Sequence, residues 1–232
     1  MARPIPTRRQ GEEVDPVAPS LSPHRGLLIW TAILLGFGVA LLLDRTVYLH
    51  FHIQDSDIQD WYRLLRVGGY LPYWLLVALA WMLMDRDAIQ TEGVRRALAR
   101  GFLLSASVVS SGILAEVLKL LIRRERPGLH AGYYFFRPWW EGPLDSTGLG
   151  LPSSHAAVAF AATWALCLLY PRATPVWLLV GLGCGVSRLL DRAHFLSDVY
   201  LAAVLSFLCV RLYWRWLAGE LPRRQDASGA LP

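Results

Sequence analysis

Cysteine is scarce in this sequence of 232 residues. Its three cysteines, Cys167, Cys184 and Cys209, all lie in apolar segments, are odd in number and do not have the spacing of metal ligands. We therefore expect packed thiols at these positions rather than a disulfide framework or a cysteine-bound metal.

Lysine is scarcer still, because Lys119 is the only one in the chain. The net charge of +5 comes mainly from arginines, which cluster at the ends of apolar runs. A basic patch interleaved with aromatic residues, as nucleic-acid-binding proteins have, is not present. The charge pattern thus argues against a nucleic-acid partner and indicates membrane topology and phosphate binding.

Apolar residues dominate what is there. Hydrophobic residues make up 54% of the chain, the mean hydropathy is +0.35 and there are ten tryptophans, which is too apolar for an ordinary soluble domain. Several apolar segments are short for a hydrocarbon core of about 30 Å. The predicted fold class is nevertheless all-α, a polytopic membrane protein with six transmembrane helices in one bundle: residues 27–43, 67–84, 101–121, 155–170, 175–189 and 198–214.

The two ends of the chain differ from this central part. Residues 1–24 contain five prolines and mixed charges without apolar periodicity, which predicts a disordered tail. The apolar run that follows is too long for a signal peptide and has no small-residue cleavage site, so we expect it to be retained. The predicted organisation is a tail (1–24), a membrane domain (25–217) and a cytoplasmic C-terminal tail (218–232), with no internal repeat.

Arginine placement predicts the orientation. With six spans, three arginine-rich segments fall on one side, which the positive-inside rule makes cytoplasmic. These segments are the N-terminal tail, the second connection (85–100) and the C-terminal tail. The opposite side also carries arginines, which weakens the rule unless some of them have another role. We expect both termini to be cytoplasmic.

Three groups of residues have the spacing of a reactive site. The first lies at the end of the third span, where Lys119 and Arg126 are seven residues apart, two turns along nearly the same helix face. Two cations so placed can bind one small anion, although a basic cluster facing lipid headgroups is the simpler alternative. Pro127 is expected to end the helix. Glu116, one turn before Lys119, is a possible counter-ion, and its role stays open.

The second group is at the start of the fourth span. Pro152, Ser153 and Ser154 are typical of a helix start, where free backbone N–H groups bind phosphate oxygens well. His155 follows in the first turn and is suited to protonate a leaving oxygen. An N-cap followed by an interfacial histidine is the alternative.

The third group lies between the fifth and sixth spans. His194 and Asp198 are four residues apart, so on a helix they share a face, and the carboxylate can accept the proton of one ring nitrogen while the other is free to attack. Arg188 is on the wrong face of a continuous helix. Arg188 can join the site only if the helix ends between Arg188 and His194, and Asp191-Arg192 is the expected break.

The order of the spans joins the three groups. The end of the third span, the start of the fourth, the end of the fifth and the start of the sixth share one side of the membrane. Three cations, a helix N-terminus and two histidines then converge as a phosphoryl-transfer site that needs no metal.

This signature resembles that of the type 2 phosphatidic acid phosphatase superfamily. Its three parts here are Lys119-x6-Arg126-Pro127, Pro152-Ser153-Ser154-His155 and Ser187-Arg188-x5-His194-x3-Asp198. The resemblance covers about residues 97–214, and one position departs from it, because Ser154 stands where the family normally has glycine. It implies six membrane helices with the active site on the outer face.

The resemblance also implies roles for the site residues. His194 would attack phosphorus, Asp198 would hold its ring and His155 would protonate the leaving group. The phosphate would be bound by Lys119, Arg126, Ser153, Ser154 and Arg188, and no metal or other cofactor is expected.

The substrate is expected to be a lipid phosphate whose tail stays in the bilayer. Polyprenyl diphosphate, phosphatidic acid and phosphatidylglycerol phosphate stay open, as does the oligomeric state. The expected location is a membrane, with the inner membrane of a bacterium favoured and the site on its periplasmic face. Two other functions remain: a vanadate-dependent haloperoxidase, against which the six spans argue, and a non-catalytic lipid carrier, which would be expected to lose site residues that are retained here.

Overall fold

The computed structural model describes residues 23–53 and 59–221. Most of the predicted disordered tail (1–24) and most of the predicted C-terminal tail therefore lie outside the described residues. The last two residues of the predicted N-terminal tail, Pro23 and His24, are helical and begin the first helix. Chain contacts divide the protein into two units, residues 1–35 and 36–232. The described part of the first unit is the beginning of an apolar helix whose large side chains are exposed, as expected for contact with lipid.

The described residues form nine α-helices. They are α1 (Pro23–His50), α2 (Asp60–Val67), α3 (Leu71–Met84), α4 (Ile89–Glu92), α5 (Val94–Ala97), α6 (Ala99–Ile122), α7 (Ser154–Leu169), α8 (Thr174–Leu190) and α9 (Leu196–Trp216). Short 3-10 turns connect some of them, and the only β-type pairings among these residues are two isolated bridges in the α6–α7 connection. The prediction of an all-α protein is confirmed.

The predicted count of six spans is not confirmed. Within the described ranges, four helices are long and apolar enough to cross a membrane: α1, α6, α8 with its preceding turn, and α9. The second predicted span is a pair of helices, α2 and α3, bent by 58° relative to each other. Counting this pair as one span raises the total from four to five. The fourth predicted span is α7, which has 16 residues and is too short to meet the same test.

Helix α7 lies at the centre of the second unit. It packs against α6, α8 and α9, and nearly every residue from Ala156 to Leu166 is buried. Its many alanines allow neighbouring helices to approach closely. Gly181 of α8 contributes to this packing, because a Cβ atom there would lie 2.7 Å from the Thr163 hydroxyl. A helix buried on all sides needs no lipid-facing stripe, which explains an apolar character without a preferred face.

The long connection between α6 and α7 is folded onto the ends of these helices. Helix α6 ends at Ile122, and Arg123 adopts a left-handed conformation (φ 61°) just beyond it. The buried Arg123 guanidinium donates to backbone carbonyls of the same connection, including Arg137 O at 3.1 Å and Pro143 O at 3.3 Å. These bonds hold residues 137–143 against the end of α6.

Two local expectations are corrected here. Arg126 does not lie two turns along the helix from Lys119, because α6 ends four residues before it and Arg126 is extended (φ −68°, ψ 145°). His194 is not on a helix with Asp198, because α9 begins at Leu196. The expected break after Arg188 is confirmed, since α8 ends at Leu190 and Arg192 has a positive φ of 52°.

Candidate active site

His194 lies in the short turn between α8 and α9 and is almost fully buried. Its Nδ1 atom is 3.0 Å from the carbonyl oxygen of Gly150 and 3.3 Å from Oδ2 of Asp198. Both partners are acceptors, so Nδ1 carries the proton and Nε2 keeps its lone pair. Burial lowers the pKa of His194 to about 4, against the opposing effect of Asp198. The ring is therefore neutral near pH 7, as a nucleophile requires.

Asp198 reaches His194 because of its place at the start of α9. It is the third residue of the helix, and its Oδ2 atom accepts the backbone N–H of Phe195 at 2.8 Å in a capping box. The same oxygen then faces the ring of His194, two residues before the helix begins. Gly150 is close by, since a Cβ atom there would lie 3.0 Å from this oxygen. The capping of α9 thus fixes the pair.

The start of α7 is joined directly to this pair. Ser153 is the N-cap residue, and its hydroxyl accepts the backbone N–H of Ala156 at 3.4 Å. Its own backbone N–H donates to the carbonyl of Asp198 at 3.2 Å. The N-terminus of α7, with its free N–H groups and positive dipole end, therefore lies beside the start of α9.

Lys119 comes to the same place from the end of α6. Its side chain is buried, and Nζ donates to Ser154 Oγ and to Glu116 Oε1, both at 2.7 Å. The contact with Glu116 answers the question about the counter-ion, since the two form an ion pair. Ser154, at the family's glycine position, supplies a hydroxyl that holds the lysine at the start of α7.

The two arginines predicted to bind phosphate both have buried donors that no hydrogen bond uses within the described residues. They are Nε of Arg126 and both Nε and Nη1 of Arg188; Nη1 of Arg188 lies 3.6 Å from Oδ2 of Asp191, an ion pair without hydrogen-bond geometry. Nε of Arg124 and of Arg192 is also unbonded. Buried guanidinium donors are usually satisfied, so unused ones beside His194 are suited to bind an anion with several acceptor oxygens. Both Arg126 and Arg188 are close enough to act electrostatically on His194.

His155 stands in the first turn of α7, as expected. It is close enough to interact electrostatically with Arg188, His194 and Lys119. It also lines, with Ser154 and Glu116, one end of a cavity of about 630 Å³ between α3, α6 and α7. The rest of that cavity is apolar, with walls that include Leu71, Val109, Ile113, Val117 and Leu120.

The structure thus brings the eight predicted site residues to one end of the second unit. It also adds residues that the sequence reasoning missed, chiefly Arg124, Asp44 and Ser197, which surround Asp198 on its far side. An acidic residue within an apolar helix, as Asp44 is in α1, was a usable signal, because such charges are rarely left without a role. Within residues 23–53 and 59–221, no three His, Cys, Asp or Glu side chains form a group that could hold a metal.

Comparison with known proteins identifies the part of the chain that contains the eight predicted site residues. Residues 100–221, slightly more than half of the chain, match the family described as PAP2 superfamily. The chain is similar to the lipid A 1-phosphatase of Rhizobium etli, with 33% identity over 102 residues, covering 43% of this chain and 42% of that protein. It is also similar to the lipid A 1-phosphatase of Rhizobium johnstonii, with 35% identity over 101 residues, 43% of this chain and 40% of that protein. The alignments thus span less than half of these relatives. No solved structure matches the chain.

Proposed function

The chain belongs to the PAP2 superfamily, and on that premise we propose that it is an integral membrane lipid phosphatase working through a phosphohistidine. The observation that carries the proposal is the bonding of His194, whose Nδ1 is held by Gly150 O and Asp198 while Nε2 is left to attack. The unused donors of Arg126 and Arg188 lie within electrostatic range of that ring.

In the first step, Nε2 of His194 attacks phosphorus, and the bond from phosphorus to the leaving oxygen breaks. His155 donates a proton to that oxygen, so the alcohol or phosphate that leaves is neutralised. Charge on the transferred group is stabilised by Lys119, Arg126 and Arg188 and by the N–H groups at the start of α7. These groups are fixed before substrate binds, which lowers the cost of organising them in the transition state.

In the second step, water attacks the phosphohistidine. His155, now unprotonated, accepts a proton from the water, the N–P bond breaks, and inorganic phosphate is released. Both histidines return to their starting states, so the reaction is balanced without a redox partner. Every role proposed here is filled by the chain's own residues.

The apolar cavity supports a lipid as substrate. It leads from Glu116, Ser154 and His155 along side chains of α3, α6 and α7, several of which are exposed toward the surroundings of the bundle. A lipid tail lying there places its phosphate at the polar end, beside the proposed acid. Tight burial of tail groups contributes about 0.8 kcal/mol for each CH₂.

For the membrane arrangement we keep six crossings, with the bent pair α2–α3 as the second and α7 as the fourth. A 16-residue helix reaches roughly 24 Å at 1.5 Å per residue, which is less than the hydrocarbon core. Because α7 is enclosed by its neighbours, its ends need not meet lipid, and the N-terminal end can be reached by water. The site then lies on the side opposite both termini.

Phosphate release by the purified full-length chain in detergent tests the proposal. The panel consists of phosphatidic acid, phosphatidylglycerol phosphate, polyprenyl diphosphate and lipid A carrying a 1-phosphate, each with EDTA and beside His194→Ala. We expect release from at least one lipid that persists in EDTA and is lost in the variant. No release from any lipid by folded protein would contradict the proposal and favour a carrier.

A further inference from the structure

A buried polar network lies behind Asp198, on the side away from His194. Arg124 donates from Nη2 to Asp198 Oδ1 and, at 2.7 Å, to the hydroxyl of Ser197. Its guanidinium is 5.0 Å from the ring centre of Phe195 and 5.1 Å from that of Tyr134, so it packs against both aromatic side chains. Arg124 falls outside the three-part signature, yet it holds the oxygen of Asp198 that His194 does not use.

Asp44 completes the network from α1. Its Oδ1 atom accepts the backbone N–H of Ser197 at 2.8 Å, and its Oδ2 atom accepts the hydroxyls of Ser197 and, at 2.8 Å, Tyr134. The same Oδ2 is 3.7 Å from Nη1 of Arg124. Asp44, Arg124, Ser197 and Asp198 are each no more than 2% exposed. Water therefore cannot take over these interactions.

The charges of this network suit the proposed chemistry. Two carboxylates, Asp44 and Asp198, surround the single guanidinium of Arg124, which leaves one net negative charge beside a neutral His194. When Nε2 bonds to phosphorus while Nδ1 keeps its proton, the ring becomes positively charged. The negative network then stabilises that positive charge. Its members are buried away from water, where electrostatic effects are strong.

We propose that Asp44 and Arg124 are positioning residues for the nucleophile, acting on His194 through Asp198. Arg124 fixes the carboxylate in the orientation that bonds Nδ1, and Asp44 keeps the network negative, so that the imidazolium of the phosphoenzyme is stabilised. This assignment rests on the proposed function. A purely structural role for the same ion pair would affect folding and leave the chemistry of the folded protein unchanged.

The test compares isosteric and charge-keeping changes at both positions. Asp44→Asn keeps the shape and one acceptor for the Ser197 N–H but removes the charge, so kcat should fall about 100-fold, with KM altered less than about threefold. Arg124→Gln should lose at least about ten times more kcat than Arg124→Lys, which keeps the charge. Each variant is measured on the lipid of the panel above that the unchanged protein hydrolyses fastest, along with its unfolding temperature.

Asp85→Asn is the matched control. Asp85 forms an ion pair with Arg100 near the opposite end of α6, with Nε of the arginine at 3.1 Å from Oδ2, so the same chemical change is made at a distant, partly buried pair. The kcat of Asp85→Asn should equal that of the protein without substitutions, even if its unfolding temperature differs.

The outcomes distinguish failure of the positioning assignment from failure of the proposed phosphatase function. A folded Asp44→Asn protein with unchanged kcat, or with a change in KM alone, would overturn the assignment while leaving the phosphatase intact. If Asp44→Asn does not fold, the two Arg124 variants decide, and equal kcat values for them would overturn the assignment. Absence of any release by the unchanged protein would instead overturn the proposed function and this assignment with it.

Discussion

The nucleophilic role proposed for His194 depends on the hydrogen bonds made by its other nitrogen. A lone histidine with a carboxylate four residues later is common in helices and predicts little. Here the carboxylate is itself fixed by the capping of α9 and by Arg124, and the second acceptor is a backbone carbonyl at Gly150. Three elements far apart in the sequence therefore determine one proton's position.

Glu116 places a negative charge beside the basic residues of the candidate site. Its side chain, 43% exposed, pairs with Lys119 and lines the cavity beside His155. A phosphate that binds Lys119 has to compete with this carboxylate and is repelled by it. If Lys119 binds the phosphate as proposed, we expect Glu116 to weaken anion binding while it holds the lysine in place.

Glu116→Gln should therefore strengthen the binding of simple anions. Without the negative charge, orthovanadate, which resembles the phosphoryl transition state, should inhibit at a concentration about three- to tenfold lower, as expected for loss of one partly exposed charge pair. Inhibition of lipid hydrolysis is the measurement. Glu92→Gln, the same change at an exposed ion pair with Arg96 outside the cavity, is the control. Unchanged or weaker inhibition in Glu116→Gln would contradict the repulsive role of Glu116.

At the scale of elements, the site is assembled from the ends of helices and the connections between them. The sequence predicted the start of α7, which Ser153 caps, and the helix break after Arg188. It misplaced Arg126 and His194 by assigning both to helices. Helix ends depend on tertiary partners, such as the carbonyls that bind Arg123, and these are not visible in local spacing.

The α6–α7 connection contains the aromatic stretches 132–136 and 139–140, which from sequence can be interpreted as a lipid entrance or as an interfacial belt. Residues 133–140 are described throughout, and none of them lines the cavity. Trp140 is 81% exposed, and several neighbouring aromatic side chains are about half exposed. This placement favours the interfacial belt. Tyr134 is an exception, since its hydroxyl bonds Asp44.

The cavity between α3, α6 and α7 should decide the preference for long lipids. Ile113→Trp places a large ring on its apolar wall, so turnover of a long-chain phosphatidic acid should fall about tenfold, on the scale of a few lost methylene contacts. Turnover of a water-soluble, short-chain phosphatidic acid should change less than about twofold, because His194 and its neighbours are untouched.

The control for this experiment is Leu179→Trp. Leu179 is 69% exposed on α8 and does not line the cavity, so the same kind of change there should alter neither substrate. Equal losses on both substrates in Ile113→Trp would contradict a tail-binding role for the cavity.

At the scale of the whole molecule, the sequence predicted the class of protein better than its crossings. High apolar content and the arginine distribution identified a helical membrane protein. They did not reveal that the short helix α7 is enclosed by its neighbours, or that α2 and α3 form a bent pair. Both features depend on packing among helices. Asp44 was missed for the same reason, because its partners Tyr134 and Ser197 lie 90 and 153 residues away.

Orientation can be tested by cysteine labelling. After Cys167, Cys184 and Cys209 are replaced by alanine, Trp140→Cys should react with a membrane-impermeant thiol reagent added outside intact cells. Asp87→Cys, in the arginine-rich connection between α3 and α6, should react only after the cells are opened. The reverse pattern would place the site on the cytoplasmic side.

Direct trapping of the phosphoenzyme tests the central claim. The purified protein is mixed with a radiolabelled substrate from the lipid panel, quenched in alkali within one turnover and digested, since phosphohistidine survives alkali and is lost in acid. Alkali-stable label is expected on the segment that contains His194, and no label is expected in His194→Gln, whose amide cannot attack. Label that persists in His194→Gln, or rapid turnover without any labelled intermediate, would contradict it.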